Sequence, residues 1–317
     1  VHLKVLRNTA TGESASILWD WGGKLEALNL LGQDGAVRPV IYNHSRSLKS
    51  VKSDGPPGAL LAPFANRIKN GTYEWDGQTY YLPRTNAGNA IHGFLIGGAP
   101  MDVTFTSADD TKAAIGLRYV FGGEEGYPFN VSLEVNYTLN TEGLTVRAQA
   151  TNLMKDRSAP FMLGMHPYWK VKDVSKSIIR LDPCSKWNHL ESTPLPDNIP
   201  TGKTTPIRAP FDGSTVIGGN LTHPTPYDDG FKSISAHDEC PILTTSIFDG
   251  DDELQLWMDR SFRFHQIYTG SPNKGIALEP QSGETDSWNN KDSVLALQAG
   301  ESWTGTFGFR INNKKSA

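Results

Sequence analysis

The chain has 317 residues, 38% hydrophobic, 10% aromatic and 20% charged, with 31 Gly and 20 Pro. That composition excludes the collagen-like and disordered classes and supplies a sizeable core. Thirty Lys and Arg against 34 Asp and Glu leave a net charge of -4 with no basic block, which argues against nucleic acid as a partner.

From the N-terminus, VHLKVLRNTATG lacks the charged start and apolar core of a signal peptide, and no run reaches the ~18 apolar residues of a membrane span. The chain starts at Val1, so an upstream segment is expected to have been removed. Asn-x-Ser/Thr sequons at Asn43, Asn70, Asn130, Asn136 and Asn220 lean towards a secreted glycoprotein, with a cytoplasmic protein as the alternative.

Short alternating or β-branched runs follow one another: SASILW (14–19), TYEWDGQTYYL (72–82), MDVTFTS (101–107), AAIGLRYVF (113–121), NVSLEVNYTL (130–139) and LTVRAQAT (144–151). Spaced by roughly ten residues and separated by turn chemistry such as Asp76-Gly77, they predict an antiparallel sandwich or barrel. SIIRLDP, ILTTSIFD, LQLWMD, GIALEP and TGTFGFRI continue the pattern. No helical period persists for three turns, so helix is expected only in short connectors. The proline-rich stretch Glu191–Tyr227 reads as an excursion within one domain spanning 1–317, because strand patterns flank it on both sides.

GxGxxG, GxxxxGK[ST], GxSxG and HExxH are all absent. The eight histidines form no HxH or HxxxH pair, so no local metal cluster is expected. The two cysteines, Cys184 and Cys240, either form one disulfide, closing a 57-residue loop at a loop-entropy gain of roughly 4 kcal/mol, or stay as buried free thiols.

Ionisable groups nonetheless stand inside apolar, strand-like runs. Asn66 and Arg67 follow the apolar run of LLAPFANRIKNG, where an Arg offers a planar donor fork to hydroxyls or a carboxylate, a structural ion pair being the alternative. His92 sits between Ile91 and Gly93, either a hydrogen-bonded core histidine or a site residue. His166 interrupts APFMLGMHPYWKV ahead of Tyr168 and Trp169; it can exchange a proton near neutrality, and the aromatics can face a sugar ring. Glu279 closes the apolar strand of KGIALEPQSGETD, with Gln281 after it, and desolvation there raises a carboxyl towards the range of a base catalyst. Asp228 and Asp229 in PTPYDDGF read first as an Asx turn.

Taken together, PFANRIKNGTYEWDGQTYYLPRTNAGNAIHG (63–93), His166-Pro167-Tyr168, Tyr227–Phe231 and Leu278-Glu279-Pro280 resemble the motifs of the aldose 1-epimerase (galactose mutarotase) family, in that family's order. The resemblance implies a large, mainly β antiparallel sandwich with an open cleft for a monosaccharide. It also implies cofactor-free and metal-free interconversion of α and β anomers of free hexoses. Glu279 would be the general base, His166 the general acid, and His92 an assistant near the ring oxygen. Arg67, Asp228, Asn66, Gln281 and Trp169 would bind the sugar. Where such enzymes often carry Gly-Gly after the first histidine, this chain has Gly93-Phe94, expected to reshape the cleft floor. Alternatives are a hexose-6-phosphate 1-epimerase, a non-catalytic carbohydrate-binding protein with the same cleft, and a two-carboxylate glycoside hydrolase or lyase.

Overall fold

A computed structural model describes residues 2–43, 55–85, 87–174, 177–207, 216–217, 227–235 and 239–312. Strand accounts for 53% of the described residues and helix for 4%, as the alternating runs predict. The described residues contain one short α-helix, Ser287–Asn290, and two 3-10 turns. None of their helices is long and apolar enough to cross a membrane.

Two large antiparallel sheets dominate. A nine-stranded sheet runs in the order Asp102–Ala108, Ala113–Phe121, Val131–Asn140, Gly143–Asn152, Ser302–Ile311, Asp252–Asp259, Ile242–Asp249, Ile178–Leu181 and Val216–Ile217. An eight-stranded sheet holds Pro200–Pro206, Trp187–Ser192, Asp228–Ser233, Phe264–Tyr268, Ile276–Gln281, Gly164–Met165 and Leu60–Leu61, with Tyr168–Trp169 paired to Ile276–Gln281 off that path. Four N-terminal strands from Leu3 to Pro39 form a smaller sheet, and Asp76-Gly77 turns a tight hairpin with both residues at positive φ, as an Asp-Gly turn requires.

The proline-rich excursion is more regular than its composition suggests: Pro200–Pro206 pairs with Trp187–Ser192. Its residues 208–215 and 218–226 lie outside the described residues, as does Asn220. Of the other sequons, Asn43, Asn70 and Asn130 are exposed and Asn136 is half-buried on an interior strand. Asp228 and Asp229 stand at the start of a strand paired on both sides rather than in an isolated turn. Cys184 and Cys240 carry free thiols, and Cys184 is exposed rather than buried.

Side chains on alternate positions of each strand enter the apolar layer between the sheets. Trp169 packs its ring 5.4 Å from Phe309, and Phe262, Phe307 and Phe309 continue the stack. One polar bond spans the layer: His265 Nε2 meets Thr245 Oγ1 at 2.8 Å, joining a strand of each sheet. Burial holds His265 neutral by lowering its pKa to about 3. Thr245→Val keeps the shape but strands the imidazole nitrogen, which costs about 1–3 kcal/mol. The urea unfolding midpoint should fall accordingly, and an unchanged midpoint would exclude this bond as a determinant of stability.

Candidate active site

The eight-stranded sheet assembles a cleft of about 320 Å³, large enough for a monosaccharide. Register does most of the assembly. Gln266 lies opposite Glu279, and Asp228 opposite Tyr268, so Asp228, Gln266, Tyr268 and Glu279 fall on the same face of three adjacent strands. Asp229 takes the opposite face, where its carboxylate meets His189 at 2.7 Å.

The strand Ile276–Gln281 is buried along its whole length, yet its pairing on one side skips Leu278, Glu279 and Pro280. Tyr168 and Trp169 pair with Ala277 and Ile276, and Gly164 pairs with Gln281. A broken ladder tolerates Pro280, which has no N–H to donate. Through the gap His166 reaches Glu279, with Nε2 and Oε1 3.1 Å apart. His166 is itself held by its N–H to the Ala59 carbonyl at 3.0 Å and by its carbonyl, which accepts from Gly58 at 2.8 Å.

His92 and Asn66 arrive from a second supporting structure. Their backbones adopt positive φ, 64° and 54°, a strained choice for non-glycine residues. The His92 N–H donates to the Asn66 carbonyl at 2.8 Å, and Arg67 pairs with Ile91. Gly93 is required there, because a Cβ would stand 2.1 Å from the Ala62 carbonyl oxygen. The His92 and His166 rings meet edge to face at 5.3 Å, and His166 stacks on Tyr168 at 4.9 Å. Arg67 donates to Asn66 Oδ1 at 2.9 Å and to Asp228 Oδ2 at 3.3 Å, while Gln266 donates to Asp228 Oδ1 at 2.7 Å.

Glu279 is 2% exposed and His166 5%. Burial first, then the Asp228 charge, pushes Glu279 well above the usual carboxylate range, with Gln281 and Arg67 opposing. Burial, with the charge of His92 behind it, pushes His166 well below the usual histidine range. His92, also buried and near Arg67, is lowered to about 3 and stays neutral. Among the described residues, the Nδ1 atoms of His92 and His166 have no hydrogen-bond partner.

Across residues 4–310 the chain matches the family model for aldose 1-epimerase. The chain belongs to the aldose 1-epimerase family. Aldose 1-epimerases are isomerases, and this chain is one of that class. It is 24% identical to the aldose 1-epimerase of Escherichia coli strain K12 over 93% of this chain and 91% of that one. An uncharacterized protein of the same organism, YihR, is 27% identical over 77% of this chain and 75% of its own. The solved structure of an aldose epimerase homologue from C. elegans superposes with a TM-score of 0.81 at 18% identity, covering 98% of this chain and 99% of that one; at that identity the likeness extends to the fold.

Glu279, His166, His92, Arg67, Asp228 and Asn66 all line the cleft. Three expectations need correction. Trp169 is fully buried and packs on Phe309 in the layer between the sheets; strand alternation turns Tyr168, not Trp169, towards the cleft. Gln281 lies beneath the cleft, its amide 3.5 Å from Glu279 Oε2, and supports that carboxyl rather than lining the pocket. Phe94 does not reshape the floor, because its ring packs on Phe64 and Tyr127 at 6.3 and 6.4 Å. Lining groups absent from the sequence reading are Tyr268, Leu195, Pro56 and Ile91. Trp169→Phe should therefore lower unfolding free energy by about 0.5–3 kcal/mol while KM for the sugar stays within about twofold. A large KM change with unaltered stability would return Trp169 to the cleft.

Proposed function

We propose that the protein interconverts the α and β anomers of a free hexose by opening and reclosing its ring. The contact between Glu279 and His166 at the cleft floor carries this reading. A binding module needs hydroxyl partners, whereas a buried carboxyl touching a buried imidazole is a matched proton acceptor and donor. The Glu279 carboxylate takes the proton from the anomeric hydroxyl. As the C1–O5 bond breaks, protonated His166 delivers its proton to O5. Rotation about C1–C2 and the reverse transfers close the other anomer, so no net proton is consumed. His92, neutral, hydrogen-bonds near the ring oxygen, and Arg67, Asp228 and Asn66 hold ring hydroxyls.

Asp228 already accepts from Arg67 and Gln266, which suits a positioning carboxylate better than the proton donor of a hydrolase. Among the described residues that line the cleft Arg67 is the only Lys or Arg, and Asn66 and Asp228 engage it. That favours a free hexose over a 6-phosphate ester.

Polarimetry on freshly dissolved α-D-glucose, α-D-galactose and α-D-glucose 6-phosphate tests the reading. The two free sugars should reach equilibrium rotation faster with catalytic amounts of protein. Acceleration confined to the phosphate ester would overturn the substrate class. Glu279→Gln and His166→Asn should each lower kcat by about 10²- to 10⁴-fold with sugar affinity held within about threefold. Either variant retaining most of its turnover would remove that residue from proton transfer.

The pair should also set the pH profile. It holds two protons only below the lowered His166 value and none only above the raised Glu279 value. The singly protonated pair lies between those two values; its resting proton sits on Glu279, the reactive form carries it on His166, and kcat/KM should be flat across that interval. It should fall on the acid side below the ordinary histidine range and on the alkaline side above the ordinary carboxylate range. An acid limb at or above the unperturbed histidine value near 6.5, or an alkaline limb at or below the ordinary carboxylate value, would contradict the arrangement.

A further inference from the structure

Cys184 and Cys240 are the chain's two cysteines, 56 positions apart, and the fold sets them side by side. The Sγ atoms and a carboxylate oxygen of Asp182 lie within 4.8 Å of one another, and the thiols donate to the carbonyls of Glu239 and Ile242 at 3.0 and 3.4 Å. Both occupy crossings between the large sheets. Cys184 lies between Ile178–Leu181 of the nine-stranded sheet and Trp187–Ser192 of the eight-stranded one. Cys240 lies on the return, between Asp228–Ser233 and Ile242–Asp249.

Asp182 fixes the first crossing against the second. Its Oδ1 accepts from the Cys184 N–H at 2.7 Å, and its Oδ2 accepts from the N–H and hydroxyl of Thr244 at 2.8 and 2.9 Å. Because both carboxylate oxygens are occupied in this way, the trio is better suited to aligning thiols than to holding a metal, which would need a fourth ligand.

We propose that Cys184 and Cys240 are a disulfide-forming pair, closed by exchange with a low-molecular-weight disulfide, that staples the two sheet crossings together. The exposed Cys184 thiolate attacks one sulfur of the small disulfide, breaking its S–S bond and releasing one thiolate. Cys240 then loses its proton to solvent and attacks Cys184 Sγ, expelling the second thiolate. Two protein thiols are oxidised and one small disulfide is reduced to two thiols, so electrons and protons balance.

The order of attack follows from access, since Cys184 is exposed whereas Cys240 is fully buried. Burial also pushes the Cys240 thiol up to about 12, only partly offset by Arg260. The closed loop runs from 184 to 240 and so encloses Trp187–Ser192, Pro200–Pro206 and Asp228–Ser233, the outer strands of the sheet that carries the cleft. Cross-linking there restrains the unfolded chain and keeps the segment bearing Asp228 on the sheet. The inference rests on the thiol geometry alone and is independent of the substrate reading.

The test treats the full-length reduced protein with oxidised glutathione. Thiols counted under denaturing conditions should fall from two to none, and a non-reduced peptide map should join the Cys184 and Cys240 peptides. The oxidised protein should melt several degrees above the reduced one. Cys184→Ser should leave Cys240 unreacted in the folded protein, abolish the rise and leave hexose turnover unchanged. A glutathione adduct that persists on Cys184, disulfide-linked dimers, or two free thiols after treatment would overturn the pair. So would protection of both thiols by added zinc, which would make the trio a metal site. An oxidised form that melts no higher than the reduced one would overturn the stapling role.

Discussion

A carboxyl group buried as deeply as that of Glu279 loses hydration worth several kcal/mol unless a partner meets it. The eight-stranded sheet is arranged to supply one. Its ladder opens at Leu278–Pro280, and His166 comes through that opening from a neighbouring strand end. Gln281 and Arg67 temper the carboxyl, Asp228 and burial raise it, and Gln266 holds Asp228 at the distance where it does so. Remove the gap and the acid and imidazole would have no common space; remove either partner and the other would be left buried at the cleft floor without it.

The second support is conformational. Asn66 and His92 both sit in left-handed backbone, and each secures the other through the His92 N–H and the Asn66 carbonyl. Gly93 follows because the chain passes against the Ala62 carbonyl with no room for a Cβ. The Asn-Arg and His-Gly motifs are thus two halves of one device, in which local strain is held by a short pairing of Arg67 with Ile91.

Much of this was legible in the sequence. Two-residue alternation with turn residues between the runs marked the strands, and ionisable groups inside apolar runs marked Arg67, His92, His166 and Glu279; Asp228 read as an Asx turn and entered only through the family resemblance. Parity was also available and would have chosen Tyr168 over Trp169, since His166 and Tyr168 share a face and Trp169 takes the other. The same rule separates Asp228 from Asp229. Register was not available. That Gln266 faces Glu279, or that Leu195 of the proline-rich stretch borders the cleft, depends on which strands pair, and no local pattern encodes that. Phe94 misled for a similar reason: its partners, Phe64 and Tyr127, are distant in sequence and lie inside the core.

Because the cleft draws on positions from 56 to 279, its contacts between His166 and Glu279 and between Arg67 and Asp228 span long stretches of chain. Pairings of such separation close late, after the entropy of large loops has been overcome. Local hairpins such as Thr72–Trp75 with Gln78–Tyr81 can form early and carry no chemistry. In a refolding experiment, recovery of turnover would therefore report the final ordering of the sheet, behind the signals of secondary structure and collapse.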